Sequence, residues 1–141
     1  MKKIIILFCF LFLVTGCKKN TINIKGNDEK VNNINVIIND KNYNLKLENN
    51  NTAKELSDLL PQEFNMSDLN GNEKYVYMDK SLITNSYNPK HIEKGDVMLY
   101  GDNCLVIFYK SFDTSYSYTK IGHIDNLDEL ETGNIIVKLE K

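Results

Sequence analysis

The sequence predicts a mainly β domain of about eight short strands, and three observations carry that expectation. Past residue 61 the apolar residues fall in short runs that alternate with polar ones, not at helical spacing. Clusters of Asn, Asp and Gly separate those runs at intervals that suit a small barrel. Only one segment, "NTAKELSDLLP", reads as a capped helix.

The chain opens with a different signal. Lys2 and Lys3 precede thirteen uncharged residues, "IIILFCFLFLVTG", and then Cys17. A basic start followed by a short apolar run is the pattern of a secretory signal, and a membrane-spanning helix needs about 20 apolar residues. Val14, Gly16 and Cys17 resemble the bacterial lipobox. That resemblance implies cleavage after residue 16, lipidation (palmitate) of Cys17, and an extracytoplasmic protein lipid-anchored to a membrane of the bacterial cell envelope. Residues 1–16 are thus expected to be the signal peptide. Residues 17–33 are expected to be the lipidated Cys and a flexible tether, because "KKNTINIKGNDEKVNN" is polar and has no period. Residues 34–141 are expected to form the folded domain.

Charge divides along the same boundary. Lys18 to Asn33 carries four Lys against Asp28 and Glu29, whereas from Ile34 on eleven Lys face seventeen Asp and Glu. The basic tether suits an anionic membrane surface, and so acidic a domain is not expected to bind nucleic acid. Cys9 leaves with the signal and Cys17 takes the lipid, so Cys104 is the one thiol expected in the domain and no internal disulfide can form.

Within the domain, "INVIIN" and "YNLKL" read as two strands around a connection at Asp40-Lys41-Asn42. Thr52 is the expected helix cap, with Glu55 completing a capping box, Leu56, Leu59 and Leu60 forming one apolar face, and Pro61 ending the helix. "EFNMSDL" turns Phe64 and Met66 to the core, with Leu69 a further candidate. Asn70-Gly71-Asn72 is a turn into "KYVYM". Asp79 to Lys94 is irregular. "VMLY", the turn Gly101-Asp102-Asn103 and "CLVIFY" follow, the last apolar on both faces and so a covered central strand. "YSYTKIGHI" and "NIIVKLE" complete the strands, with "LDEL" between them as one expected helical turn.

"MSDLNGNEKYVY", "KGDVMLYGDNCLVIFY" and "FDTSYSYTKIGHID", in that order, resemble a family of small bacterial cyclophilin-like proteins. The resemblance covers Ile34 to about Glu140. It implies a closed eight-stranded β-barrel with one or two short capping helices.

Does prolyl isomerase chemistry come with such a barrel? Rotation about the peptide bond has a barrier of about 18–20 kcal/mol, and its catalysis needs a donor to the prolyl nitrogen and an apolar grip on the ring. In the active cyclophilins the donor is an arginine, supported by a glutamine in a "GSQFF"-type strand. All seventeen basic residues here are Lys. Lys74 lies on an expected strand, but a point ammonium does not replace a planar fork. The matching stretch is "GDNCL", with Asn103 at the glutamine position and Leu105 at the phenylalanine position, and the chain has no Trp. The expected protein is therefore non-catalytic, with a weak peptidyl-prolyl isomerase acting on secreted proteins as the alternative.

Other chemistry is weaker still. Cys104, His123 and Asp125, or Ser115 or Ser117 in place of the cysteine, hold the residue types of a hydrolytic triad. A cysteine opening an apolar strand is usually a buried hydrophobe, and neither serine has a nucleophile-elbow signature. His91 and His123 are the only histidines, and "DLNGNE" fits a turn better than a calcium loop. No metal and no cofactor are expected.

The aromatics are the best candidates for a binding surface. Tyr75 and Tyr77 share one face of their strand, and Tyr116 and Tyr118 another. Tyrosine joins a large apolar body to a polar tip, which suits either a groove or plain cross-strand packing. A ligand groove is expected to draw on Met66, Tyr75, Tyr77, Asn103, Phe108, Tyr116 and Tyr118, holding a peptide, a protein or a small ligand. A module recruited through a broad apolar patch is the third possibility.

Overall fold

The computed structural model describes residues 33–141. The expected signal peptide, Cys17 and nearly all of the tether lie outside the described residues. The elements are β1 (Asn33–Ile38), β2 (Lys41–Leu47), α1 (Asn51–Asp58), β3 (Gln62–Leu69), β4 (Glu73–Tyr77), β5 (His91–Ile92), β6 (Asp96–Tyr100), β7 (Cys104–Phe108), β8 (Phe112–Asp113), β9 (Thr119–Ile124) and β10 (Ile135–Glu140). Eight strands close an antiparallel barrel in the order β1-β10-β3-β4-β7-β6-β9-β2, and β5 and β8 pair separately. The fold class read from the sequence is the one observed. Closure gives every barrel strand two neighbours within 33–141, leaving no barrel edge unpaired.

Period-two alternation explains the interior. Ile34, Val36 and Ile38 of β1, Leu45 of β2, Val137 and Leu139 of β10, and Leu105 and Ile107 of β7 all point inward and are buried. The interior is not wholly apolar. Lys74, inward on β4 and fully buried, donates to the Asp68 carboxylate at 2.7 Å and to the carbonyls of Glu131 and Gly133 at 2.6 Å each. Tyr109 donates its hydroxyl to the same Asp68 oxygen at 2.6 Å, and the Gly71 N–H reaches the other oxygen at 2.9 Å. Burial alone would raise the Asp68 pKa, but these donors outweigh it and hold the carboxyl below its ordinary value. A charged plug thus fills one end of the barrel.

Four local expectations are corrected. The β1–β2 connection is Asn39-Asp40, both at positive φ (50° and 62°), so the turn sits one residue earlier and Lys41 already pairs. Two consecutive positive-φ residues match the twist of a tight hairpin, and Asn and Asp tolerate that conformation. The helix cap is Asn50, whose side chain accepts from Ala53 N at 2.8 Å, not Thr52. Thr52 donates instead to the Ile83 carbonyl and Glu55 accepts from Ile83 N at 2.7 Å, so this pair clamps the long 79–90 loop to the helix. Leu69 is 45% exposed, because core-facing positions of β3 continue from Phe64 and Met66 to Asp68. "LDEL" forms no helical turn: Leu127 and Leu130 are buried in the barrel core while Asp128 bonds Lys41 and Tyr43.

β9 begins at Thr119, so Tyr116, Ser117 and Tyr118 all precede the strand, and the two tyrosines do not share a face of it as expected. Its pairing with β6 shifts register between Val97 and Met98, which pair with Gly122 and Lys120, leaving Ile121 as an extra residue. Ile121 and Gly122 consequently both face inward. A Cβ on Gly122 would lie 2.4 Å from the Lys46 carbonyl oxygen, which is why only glycine lets β2 and β9 close the barrel here.

Candidate functional site: a tyrosine-walled groove on the outer barrel face

The strands that alternate into the core also build a second surface outside it. On β4 the inward Lys74 and Val76 leave Glu73, Tyr75 and Tyr77 outward. On β7, Cys104, Val106 and Phe108 face out, and on β6, Met98 and Tyr100. The register sets them in rows across the sheet: Tyr77–Cys104–Tyr100, then Tyr75–Val106–Met98, then Glu73–Phe108. The order of side chains on this face therefore follows directly from strand pairing.

The chain after β7 folds back over part of that face. β8 pairs with β5 through His91↔Asp113 and Ile92↔Phe112, and Tyr118 bridges Tyr87. Phe108 is fully buried beneath this cover, its ring 5.7 Å from Phe112 and 5.4 Å from Tyr118. Ile92, Met98, Cys104 and Val106 complete a small apolar cluster separate from the barrel core. His91 Nδ1 and Asp113 Oδ1 lie 2.6 Å apart on the surface of the cover, and this hydrogen bond raises the His91 pKa.

Where the cover stops, a groove of about 560 Å³ opens between it and the β3–β4 turn. That volume lies in the range of about 300–1,000 Å³ usual for ligand sites. Tyr75, Tyr77, Tyr100, Tyr116 and Tyr118 wall it, with Cys104 and Val106 as floor and Glu73 at one end. The rings brace one another at steep angles: Tyr75 against Tyr77 at 82°, and Tyr100 against Tyr116 at 89°. Tyr77 and Tyr116 remain 65% and 61% exposed.

Burial first, and then the charge of Asp68, raises the Glu73 carboxyl to about 7. The Cys104 thiol is pushed up by its own burial and then by Glu73, so it is a poor nucleophile.

The residues singled out in the sequence thus divide. Tyr75, Tyr77, Tyr116 and Tyr118 come together in the groove. Met66 points into the barrel core, and Phe108 supports the floor from beneath without lining it. Asn103 lies at the β6–β7 turn, where its side chain donates to the Met78 carbonyl at 3.1 Å. Leu105 is buried in the barrel. Glu73 and Tyr100 were missed. Glu73 shares the outward phase of Tyr75 and Tyr77 in "EKYVY", and Tyr100 sits in the turn-proximal row opposite Cys104, a pairing that strand register reveals and residue spacing within one strand does not.

The Cys104–His123–Asp125 constellation does not assemble around the thiol, although His123 Nε2 lies 3.7 Å from Asp125. Cys104 pairs with Tyr100 and His123 with Asp96, at opposite ends of β6, so about 13 Å of strand separates the thiol from the imidazole. His123 Nδ1 lies 3.0 Å from Asp96, whose other oxygen accepts from Glu93 N at 3.0 Å. Asp96 thus organises the β5–β6 connection. No group of three or more His, Cys, Asp or Glu converges to hold a metal among the described residues.

A closed eight-stranded antiparallel barrel with a single short helix is consistent with a cyclophilin-like fold. A model described as the cyclophilin-like family matches residues 36–140, and the chain belongs to that family. No curated protein and no solved structure gives a significant match.

Proposed function

We propose that the protein is a membrane-tethered extracytoplasmic lipoprotein whose barrel holds a peptide, protein or small ligand in the tyrosine groove, without isomerising prolyl bonds. The groove carries this reading: five tyrosines with apolar bodies and polar tips surround a volume suited to a ligand. Two observations weigh against catalysis. The sequence has no Arg, and Lys74, the lysine placed to replace it, directs its ammonium to three acceptors inside the barrel. An ammonium has three N–H donors, so none remains for a prolyl nitrogen.

A panel of proline-containing peptides added to isotopically labelled protein tests both halves by NMR. Amide shifts confined to Tyr75, Tyr77, Tyr100 and Tyr116, with unchanged cis/trans exchange in the peptides, are the expected result. Faster exchange would establish a weak isomerase that works without arginine.

The anchor rests on the N-terminal sequence. Expression in a bacterial host fed an alkyne fatty acid is expected to label the protein, and Cys17→Ser is expected to abolish labelling and release the barrel from the membrane fraction. Equal labelling of the variant would overturn the anchor.

A further inference from the structure

We infer that the groove takes the ammonium of a lysine side chain presented by a peptide or protein partner, an inference that rests on the groove being the ligand site. Its walls are chemically one-sided. From Ile34 on the chain has eleven lysines, yet the groove lining contains none of them, and its two charged residues are Glu73 and Asp113. Asp113 is held by His91 at 2.6 Å. The Glu73 side chain is half-buried, and its carboxyl makes no hydrogen bond or ion pair to a described residue. A desolvated carboxylate without a counter-charge favours a cation over a neutral or anionic guest.

The tyrosines favour the same guest. The π-face of an aromatic ring carries negative potential and its edge positive. The Tyr75–Tyr77 and Tyr100–Tyr116 pairs are each set nearly at right angles, and all four rings line the groove. An alkylammonium within about 6 Å of such faces is attracted, and its methylenes pack on the same apolar surface. A peptide source fits the dimensions. The 560 Å³ exceeds what one ammonium head fills, and the rim beside Glu73 and Asp113 carries the polar Asn70, Asn72, Thr114 and Ser115. Side chains of that kind suit hydrogen bonds to an extended backbone.

The full chain in neutral detergent micelles, titrated by calorimetry and by NMR, tests this with matched capped tripeptides. One bears lysine, one trimethyl-lysine, one the neutral isostere norleucine, and choline is the small-molecule control. The lysine peptide is expected to bind at least about tenfold more tightly than the norleucine peptide, since a charge-assisted contact typically exceeds that margin. Its affinity is expected to rise from pH 6 to pH 8 as the Glu73 carboxyl ionises near 7, lysine staying protonated throughout. The ionisable groups whose charge couples to Glu73 are Asp68 from β3, Cys104 from β7 and Tyr118 from the covering segment, and Asp113 is the other acid of the groove. Glu73→Gln keeps the shape, and is expected to lower lysine affinity about tenfold and to flatten the pH profile. Tyr116→Ala, at an exposed wall, is expected to weaken lysine and trimethyl-lysine binding alike.

Equal binding of lysine and norleucine peptides would overturn the inference while leaving the groove a ligand site. Choline binding without any lysine-peptide binding would overturn the peptide source. Silence from every peptide, prolyl ones included, would remove the groove itself.

Discussion

Replacing Lys74 with Met is expected to cost about 3–5 kcal/mol. The ammonium neutralises Asp68 at 2.7 Å and satisfies the carbonyls of Glu131 and Gly133. Methionine of similar length leaves a part-buried carboxylate without its counter-charge and two carbonyls without a donor. Small domains are stable by only about 5–15 kcal/mol, so a fall in Tm on the order of 20 °C is expected. Removing both charges, as Lys74→Met with Asp68→Leu, is expected to recover part of that loss, because it removes the unpaired charge but still leaves the Glu131 and Gly133 carbonyls, the Tyr109 hydroxyl and the Gly71 N–H without these partners. Chemical denaturation of the two single variants and the double variant measures the coupling. A Lys74→Met variant within about 1 kcal/mol of the parent would show that the pair does not plug the barrel.

The same pair sets an acid dependence. Asp68 has a folded pKa below its unfolded value, so its contribution is fully present above the ordinary carboxylate range near 3.9. It is lost as pH falls through the depressed value. A parent whose stability drops below pH 4, beside a double variant that drops less, is the expected pattern.

How much of this was legible in the sequence depends on the length scale of each feature. Alternation and turn residues are local, so all eight barrel strands could be read, and the resemblance implied their closure. The two-residue strands β5 and β8 could not, because they form only against each other over the outer cluster. The helix cap moved because Thr52 and Glu55 found a partner, Ile83, that lies 31 and 28 residues away. The groove was half legible. Tyr75 and Tyr77 follow from period two on one strand, while Met66 has the right residue type and the wrong phase, facing the barrel core. Phe108 has the right phase but lies under Phe112 and Tyr118, which no spacing within its own strand announces.

Phe108 supplies the second large effect. Its side chain is fully buried at the centre of the outer cluster, and truncating a buried Phe to Ala typically costs about 3–5 kcal/mol in lost transfer energy and cavity. The cavity would open between the barrel wall and the covering segment, not inside the barrel. The cover is held together by few backbone contacts, the β5–β8 pairs and the Tyr87–Tyr118 bridge, and the Gly95 N–H to the Phe108 carbonyl at 2.8 Å ties it to the barrel wall. Phe108→Ala is therefore expected to loosen the cover first. Amide hydrogen exchange should lose protection at Tyr87, Thr114 and Tyr118 while the β1–β10 and β3–β10 pairs keep theirs. Because Tyr116 and Tyr118 form one wall of the groove, ligand affinity should fall with the cover. Tyr77→Ala separates the two effects: its side chain is 65% exposed, so stability is expected to change by no more than about 0.5 kcal/mol while affinity falls. Protection lost evenly around the barrel in Phe108→Ala, with the cover unaffected, would mean that the outer cluster and the core form one cooperative unit. The groove would then owe its shape to the whole barrel, and not to the segment folded over it.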